Sequence, residues 1–176
     1  MNLKLLLPIK KIDINGKEVV IPKLGIKHYQ LTKNIENPVE ILDVIVKSIE
    51  PGLSLAEYDY MILHLLEFNF KIKSEVEYNG QTLYLKDVYI SQKLNFTYQG
   101  NEYIFNSPDR LISGTADQIL AETYTGNAGE VDFLEMPAFV SKWLKSMTDT
   151  LSIKTNNGII SGAAKIMDLF KDGKEQ

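Results

Sequence analysis

Two histidines, His28 and His64, are the only imidazoles in the 176-residue chain, and it contains no cysteine. Thiolate zinc sites, iron–sulfur clusters, disulfide frameworks and cysteine nucleophiles are therefore excluded together. For acid–base work there remains one group at helical spacing, Glu57, His64 and Glu67, with His64 and Glu67 three residues apart on one face. A metal there needs ligands from other segments, and no Glu-x-x-His pair on a second helix supplies them, so neither a metal nor any other cofactor is expected. The same residues, with Tyr60 and Lys71, read as a solvated helical stripe, and His28 reads as a strand surface residue. Asp59 differs because it lies beside Ile62, Leu63 and Leu66 on its helix. A carboxylate in that setting needs a partner, and Asp59 is the candidate buried polar anchor, to be held by a lysine, Arg110 or backbone amides. Gly-x-Ser-x-Gly is absent, and Gly126-Asn127-Ala128-Gly129 lacks the Gly-Lys-Ser/Thr of a phosphate loop. No catalytic residue is assigned and no enzyme is expected. A carboxylate-based hydrolase using Asp59, His64 or Glu67 stays as an alternative that requires a concave pocket with an upshifted acid.

The net charge of -4 conceals a division along the chain. Residues 1–33 hold seven lysines against Asp13 and Glu18, a balance of +5, and the remainder holds twelve bases against twenty-one acids, a balance of -9. A lysine-rich amino-terminal segment suits a nucleic-acid-binding accessory protein. Against it, Arg110 is the single arginine, and fork-like recognition of bases and phosphates ordinarily uses arginine. Nine Tyr, seven Phe and one Trp offer a further surface, centred on Tyr84, Tyr89, Phe96, Tyr98 and Tyr103. Acids are interleaved there, which favours protein contact or sheet packing over base stacking. The apolar run Leu3–Leu7 is broken by Pro8 and the Lys10-Lys11 pair, too short for a signal peptide core. A soluble protein with no membrane partner is expected.

The elements that must position these residues follow from turn and cap chemistry. Asn15-Gly16 between two β-prone runs predicts an opening hairpin. Residues 26–31 read as extended. Asn37 and Pro38 predict a helix start, and Ser54-Leu55-Ala56-Glu57 a capping box for a second helix running to about Phe70. From Ile72 the apolar period falls to two, and Asn79-Gly80 and Gln99-Gly100-Asn101 turn the chain, predicting a four-stranded antiparallel meander over residues 72–105. Thr115 opens a short helix, and Pro137 another with Val140, Trp143, Leu144, Met147 and Leu151 on its core stripe. The fold class is α+β, with residues 1–158 as one globular domain. Residues 159–176 form an amphipathic helix and frayed tail whose Ile166, Met167 and Phe170 either dock in cis or face a partner. Together with Tyr84, Tyr89 and Tyr103 they make up the candidate partner interface.

In the first half, the order of Leu7-Pro8, the Gly16 hairpin, Gly25-Ile26-Lys27-His28-Tyr29, Ile41-Leu42-Asp43, and Asp59 followed by Leu63, Leu65, Leu66 and Phe68-Asn69-Phe70-Lys71 resembles the baseplate hub proteins of T-even-like contractile-tail bacteriophages. The resemblance spans roughly residues 5–75 and is to the small hub subunit or hub-assembly protein of that group. It implies a non-enzymatic virion hub component or hub-assembly chaperone in the host cytoplasm and tail baseplate. Its implied partners are other tail or baseplate hub proteins, with a homo-oligomer as a further alternative.

Overall fold

In the computed structural model, which describes residues 8–110 and 112–172, Asn15 and Gly16 both take positive φ and turn β1 (Ile9–Ile14) into β2 (Lys17–Pro22). That is the two-residue turn an Asn-Gly pair favours. The ribbon buries Ile12, Ile14, Val19 and Ile21 and leaves Lys11, Asp13, Glu18 and Val20 outside, so its alternation fixes one inner face. The Leu3–Leu7 run and the tail from Gly173 lie outside the described residues.

Residues 26–31 are helical where an extended segment is expected. Gly25 enters in extended backbone and donates its N–H to His28 Nδ1 at 3.2 Å, so His28 sits in the first turn of α1 (Ile26–Thr32) and helps to start it. Burial there keeps the His28 imidazole below its ordinary pKa, with Lys27 adding to the effect. Asn37 caps α2 (Pro38–Ile49) by accepting from the Val39 amide at 3.0 Å. Both bonds of the Ser54/Glu57 capping box open α3 (Leu55–Phe68), the Ser54 amide donating to Glu57 at 2.9 Å. The Ser54 amide's donation, with smaller help from Asn15 and Lys17, holds the Glu57 carboxyl below its ordinary pKa. The helix stops two residues short of Phe70. Asn69 donates to the Leu65 carbonyl and accepts from the Leu24 amide, tying the helix end to the chain after β2, and Phe70 is thrown into left-handed backbone at 87% exposure.

The expected meander divides. β3 (Glu75–Tyr78) pairs with β4 (Gln81–Tyr84), and β6 (Asn95–Tyr98) with β7 (Asn101–Ile104), as two separate hairpins. A single 3₁₀ turn at Leu85–Asp87 ends β4, and β5 (Tyr89–Ile90) leaves to pair with β8 (Leu151–Thr155). Strand β8 replaces the end of a predicted helix, because α5 (Ser141–Thr148) closes before Leu151. Asn156-Asn157 then turns β8 into β9 (Gly158–Ser161), so α6 (Ala163–Asp172) begins at Ala163 and Ile159 belongs to a strand. Thr115 opens α4 (Ala116–Thr123) as expected. Six α-helices and several small antiparallel sheets among the described residues make the fold α+β.

Three apolar cores result. The first joins the β1–β2 ribbon, α2 and α3; the second joins α3, β3, β4, β8 and α6; the third joins β6, β7, α4 and α5. Helix α3 serves two of them, Met61, Ile62 and Leu65 in the first and Leu63 in the second, which is why it is apolar around most of its circumference. Among the described residues no helix is long and apolar enough to cross a membrane.

Candidate functional site

The side chains offered for chemistry are held by different parts of the fold. Asp59 lies half-buried on α3 and accepts a hydrogen bond from Thr150 Oγ1 at 2.6 Å. Thr150 is fully buried just ahead of β8, so the bond links elements 91 residues apart. Burial raises the Asp59 carboxyl above its ordinary pKa, opposed by the Thr150 bond and the nearby charge of Arg110. The sequence expects a basic or amide partner for Asp59. The partner is a hydroxyl, supplied by the short link between α5 and β8 that the helical pattern of residues 137–151 conceals. Arg110 instead places its guanidinium 4.5 Å from the centre of the Tyr58 ring.

His64 is 5% exposed, not on a solvated stripe, because β1 crosses that face of α3. Lys10 Nζ, from β1, lies 3.2 Å from His64 Nδ1 and donates to Glu67 Oε2 at 2.5 Å. An ammonium has no acceptor, so Nδ1 takes the Lys10 hydrogen and the ring proton is assigned to Nε2. Nε2 is buried without a partner among the described residues. The Tyr60 ring packs edge-on at 4.6 Å. Burial, and then the Lys10 charge, lower the His64 pKa to about 4, with Glu67 working the other way. The imidazole is therefore neutral at physiological pH. Asp59 and His64 are five residues apart, about 140° around a helix, and they face different neighbours. Among the described residues no group of three or more His, Asp or Glu is arranged to hold a metal.

The residues offered to a partner are not brought together. Tyr84 at the end of β4 and Tyr89 in β5 are 39% and 37% exposed, whereas Tyr103 is buried in the third core. There Phe96 stacks on Trp143 at 4.9 Å, with Tyr103 5.4 Å from the same indole, so of the two readings of this aromatic group, protein contact or packing within the fold, Phe96 and Tyr103 take the second. Ile166 and Phe170 are fully buried in the second core and Met167 packs half-buried beside them. The Lys73 amide donates to the Phe170 carbonyl at 2.9 Å. This face of α6 is used within the chain because β8 and β9, unpredicted, supply the surface that covers it.

The exposed apolar residues that sequence reasoning passed over cluster elsewhere. Helix α1 buries only Thr32 and leaves Ile26 at 76%, Tyr29 at 70% and Leu31 at 45% exposure. Next to Ile26 a groove of about 670 Å³ is lined by Val20, Pro22, Gly25 and Ile49. Lys23, Lys27, His28 and Ser48 complete the lining, so the groove is mixed, with exposed apolar side chains of α1 beside it. Their signal in the sequence is a helix-competent segment whose apolar residues keep no period matching a buried face. The loop after α4, read as a plain Gly-rich connection, is fastened by Asn127, which donates to the Glu102 carbonyl at 2.7 Å and accepts from the Ile104 amide at 3.0 Å.

The model of a phage hub family described as "baseplate hub distal subunit" matches residues 21–170. The chain is 44% identical over 178 aligned residues to the baseplate hub assembly protein gp28 of Enterobacteria phage T4, with 97% of this chain and all of the relative covered. No solved structure matches significantly. With the family model matched over residues 21–170 and a relative 44% identical across nearly the whole chain, the chain belongs to the phage baseplate hub distal subunit family.

Proposed function

We propose that this chain is a non-enzymatic component of the tail baseplate hub that works by protein–protein contact, joining other hub proteins in the host cytoplasm during assembly. The observation that carries this reading is the disposition of its groups. The titratable side chains suited to chemistry are engaged inside the fold, Asp59 with Thr150 and His64 and Glu67 with Lys10, whereas large apolar side chains on α1 are left outside. The relative's name, a hub assembly protein, supports a role in bringing hub proteins together. The nucleic-acid alternative loses support because Lys10, Lys11 and Lys17 pair with Glu67, Glu18 and Glu50. The hydrolase alternative loses support because Asp59 and His64 do not converge.

The test is recovery of tagged full-length chain from infected cells, with identified tail proteins quantified by mass spectrometry in the recovered complexes and in finished particles. Hub proteins in fixed ratio to the tagged chain are expected, and its presence in finished tails separates a retained subunit from a departing assembly factor. Recovery of the chain alone at every stage of infection contradicts the proposal.

A further inference from the structure

Charge is segregated on this chain beyond its overall balance. Residues 19–35 contain Lys23, Lys27 and Lys33 and no acid, whereas residues 111–141 contain Asp117, Glu122, Glu130, Asp132 and Glu135 and no lysine or arginine. The ion pairs among the described residues involve none of these eight charges. Each segment also presents apolar side chains to solvent. On the basic side these are Ile26, Tyr29 and Leu31 of α1, with Phe70 close by under the Lys23 ammonium, 3.7 Å from the ring centre. On the acidic side Leu134 is 71% and Phe139 44% exposed.

Leu134 projects for a local reason. Its neighbour Phe133 is anchored in the third core, and Asp132 accepts from the Leu134 amide at 3.0 Å, forming a tight turn that points the next residue outward. Glu130, Asp132 and Glu135 surround it and are exposed. Thus one surface offers a groove lined by apolar residues and lysines, and another offers a protruding leucine rimmed by carboxylates. Within one chain they do not meet: α1 packs on α2 at the first core, the acidic turn is built on the third, and no hydrogen bond or ion pair among the described residues joins the two segments.

We infer that a second copy of this chain is the occupant of the α1 face. The turn at residues 130–135 of one copy docks on the α1 groove of the next, Leu134 against Ile26 and the Val20–Ile49 groove, with Lys27 and Lys33 opposite Glu130, Asp132 and Glu135. Charge complementarity steers such an encounter and fixes its orientation. The contact is heterologous, using different surfaces on the two copies, so it builds a ring or an open chain, not a symmetric dimer. The inference rests on the reading that this protein acts through contacts, and self-association is measured without any other hub protein, so the two can fail separately.

The experiment is sedimentation velocity on the full-length chain over a range of concentrations at low and high salt, with two charge-reversed variants. One carries Lys27→Glu and Lys33→Glu, the other Glu130→Lys and Glu135→Lys, which leave the Asp132 turn intact; all four sites are on the surface, and circular dichroism checks the fold. The natural chain is expected to associate with rising concentration and less so in salt, and each variant alone to have its apparent Kd raised at least about tenfold. Mixed one to one, the variants are complementary at both pairings, the natural surfaces with each other and the two reversed surfaces with each other, and are expected to regain association as alternating copies. Leu134→Asp, at an exposed site, is expected to abolish association as well. A natural chain monomeric throughout overturns the inference, as does association untouched by the reversals or variants that ignore each other when mixed. A monomer that binds a different tail protein through Lys27 also overturns it, while leaving the proposed function standing.

Discussion

At the scale of single residues, His64 shows most clearly what packing does to chemistry. In sequence it shares a stripe with Glu57, Glu67 and Lys71, and an imidazole among charges looks solvated and titratable. The ribbon from residue 9 to 22 lies across that stripe, and the imidazole is buried and held neutral, with a pKa of about 4 against an ordinary 6.5. As pH falls, the unfolded chain takes up this proton first. The stability that depends on neutral His64 is therefore complete above about pH 6.5 and is lost progressively as pH falls towards about 4. Urea denaturation at pH 7 and about pH 5 tests this. The natural chain should lose about 2 kcal/mol more between the two than a folded His64→Phe variant. Parallel losses in the two proteins contradict the assignment. The need of Asp59 for a partner was legible, but Thr150 as that partner was not, because it lies 91 residues away in the link that leads into β8.

At the scale of elements, caps and turns were legible because their chemistry is local. Asn37 and Ser54 begin helices where their side chains meet orphan amides, Gln118 reaches back to accept from the Thr115 amide, and Asn15-Gly16 makes its hairpin. Pairings at long range were not. Leu151, Ser152 and Ile153 are all buried, so β8 shows no alternation, and nothing in β5 points to a partner some 60 residues later. Without β8 and β9 in view, α6 could dock in cis or face a partner; in the structure it closes the second core. Phe170→Ala should accordingly destabilise the chain by about 3–5 kcal/mol. Ile159→Ala, at 60% exposure on β9, should stay within about 0.5 kcal/mol. Denaturant midpoints compared at equal slope read both, and two comparably small effects contradict the docking of α6 in cis.

For the whole molecule, the α+β class and the hub family were legible early, the class from the succession of caps and turns and the family from landmarks in the first half. The distribution of surface was not. Whether Tyr103 or Ile26 faces water depends on three cores forming around a helix shared by two of them, and composition carries no trace of that. The account holds that the molecule acts by presenting surfaces, with its acid–base groups serving the fold. The most direct measurement is complementation of a phage lacking this protein, scored by plaque formation, with each variant first checked for folding. Asp59→Asn, His64→Gln and Glu67→Gln, which remove the candidate chemistry, should support plaques near the natural level, and Ile26→Asp combined with Lys27→Glu should not. Loss of plaques with a folded carboxylate or imidazole variant, beside normal plaques from the α1 variant, would contradict it.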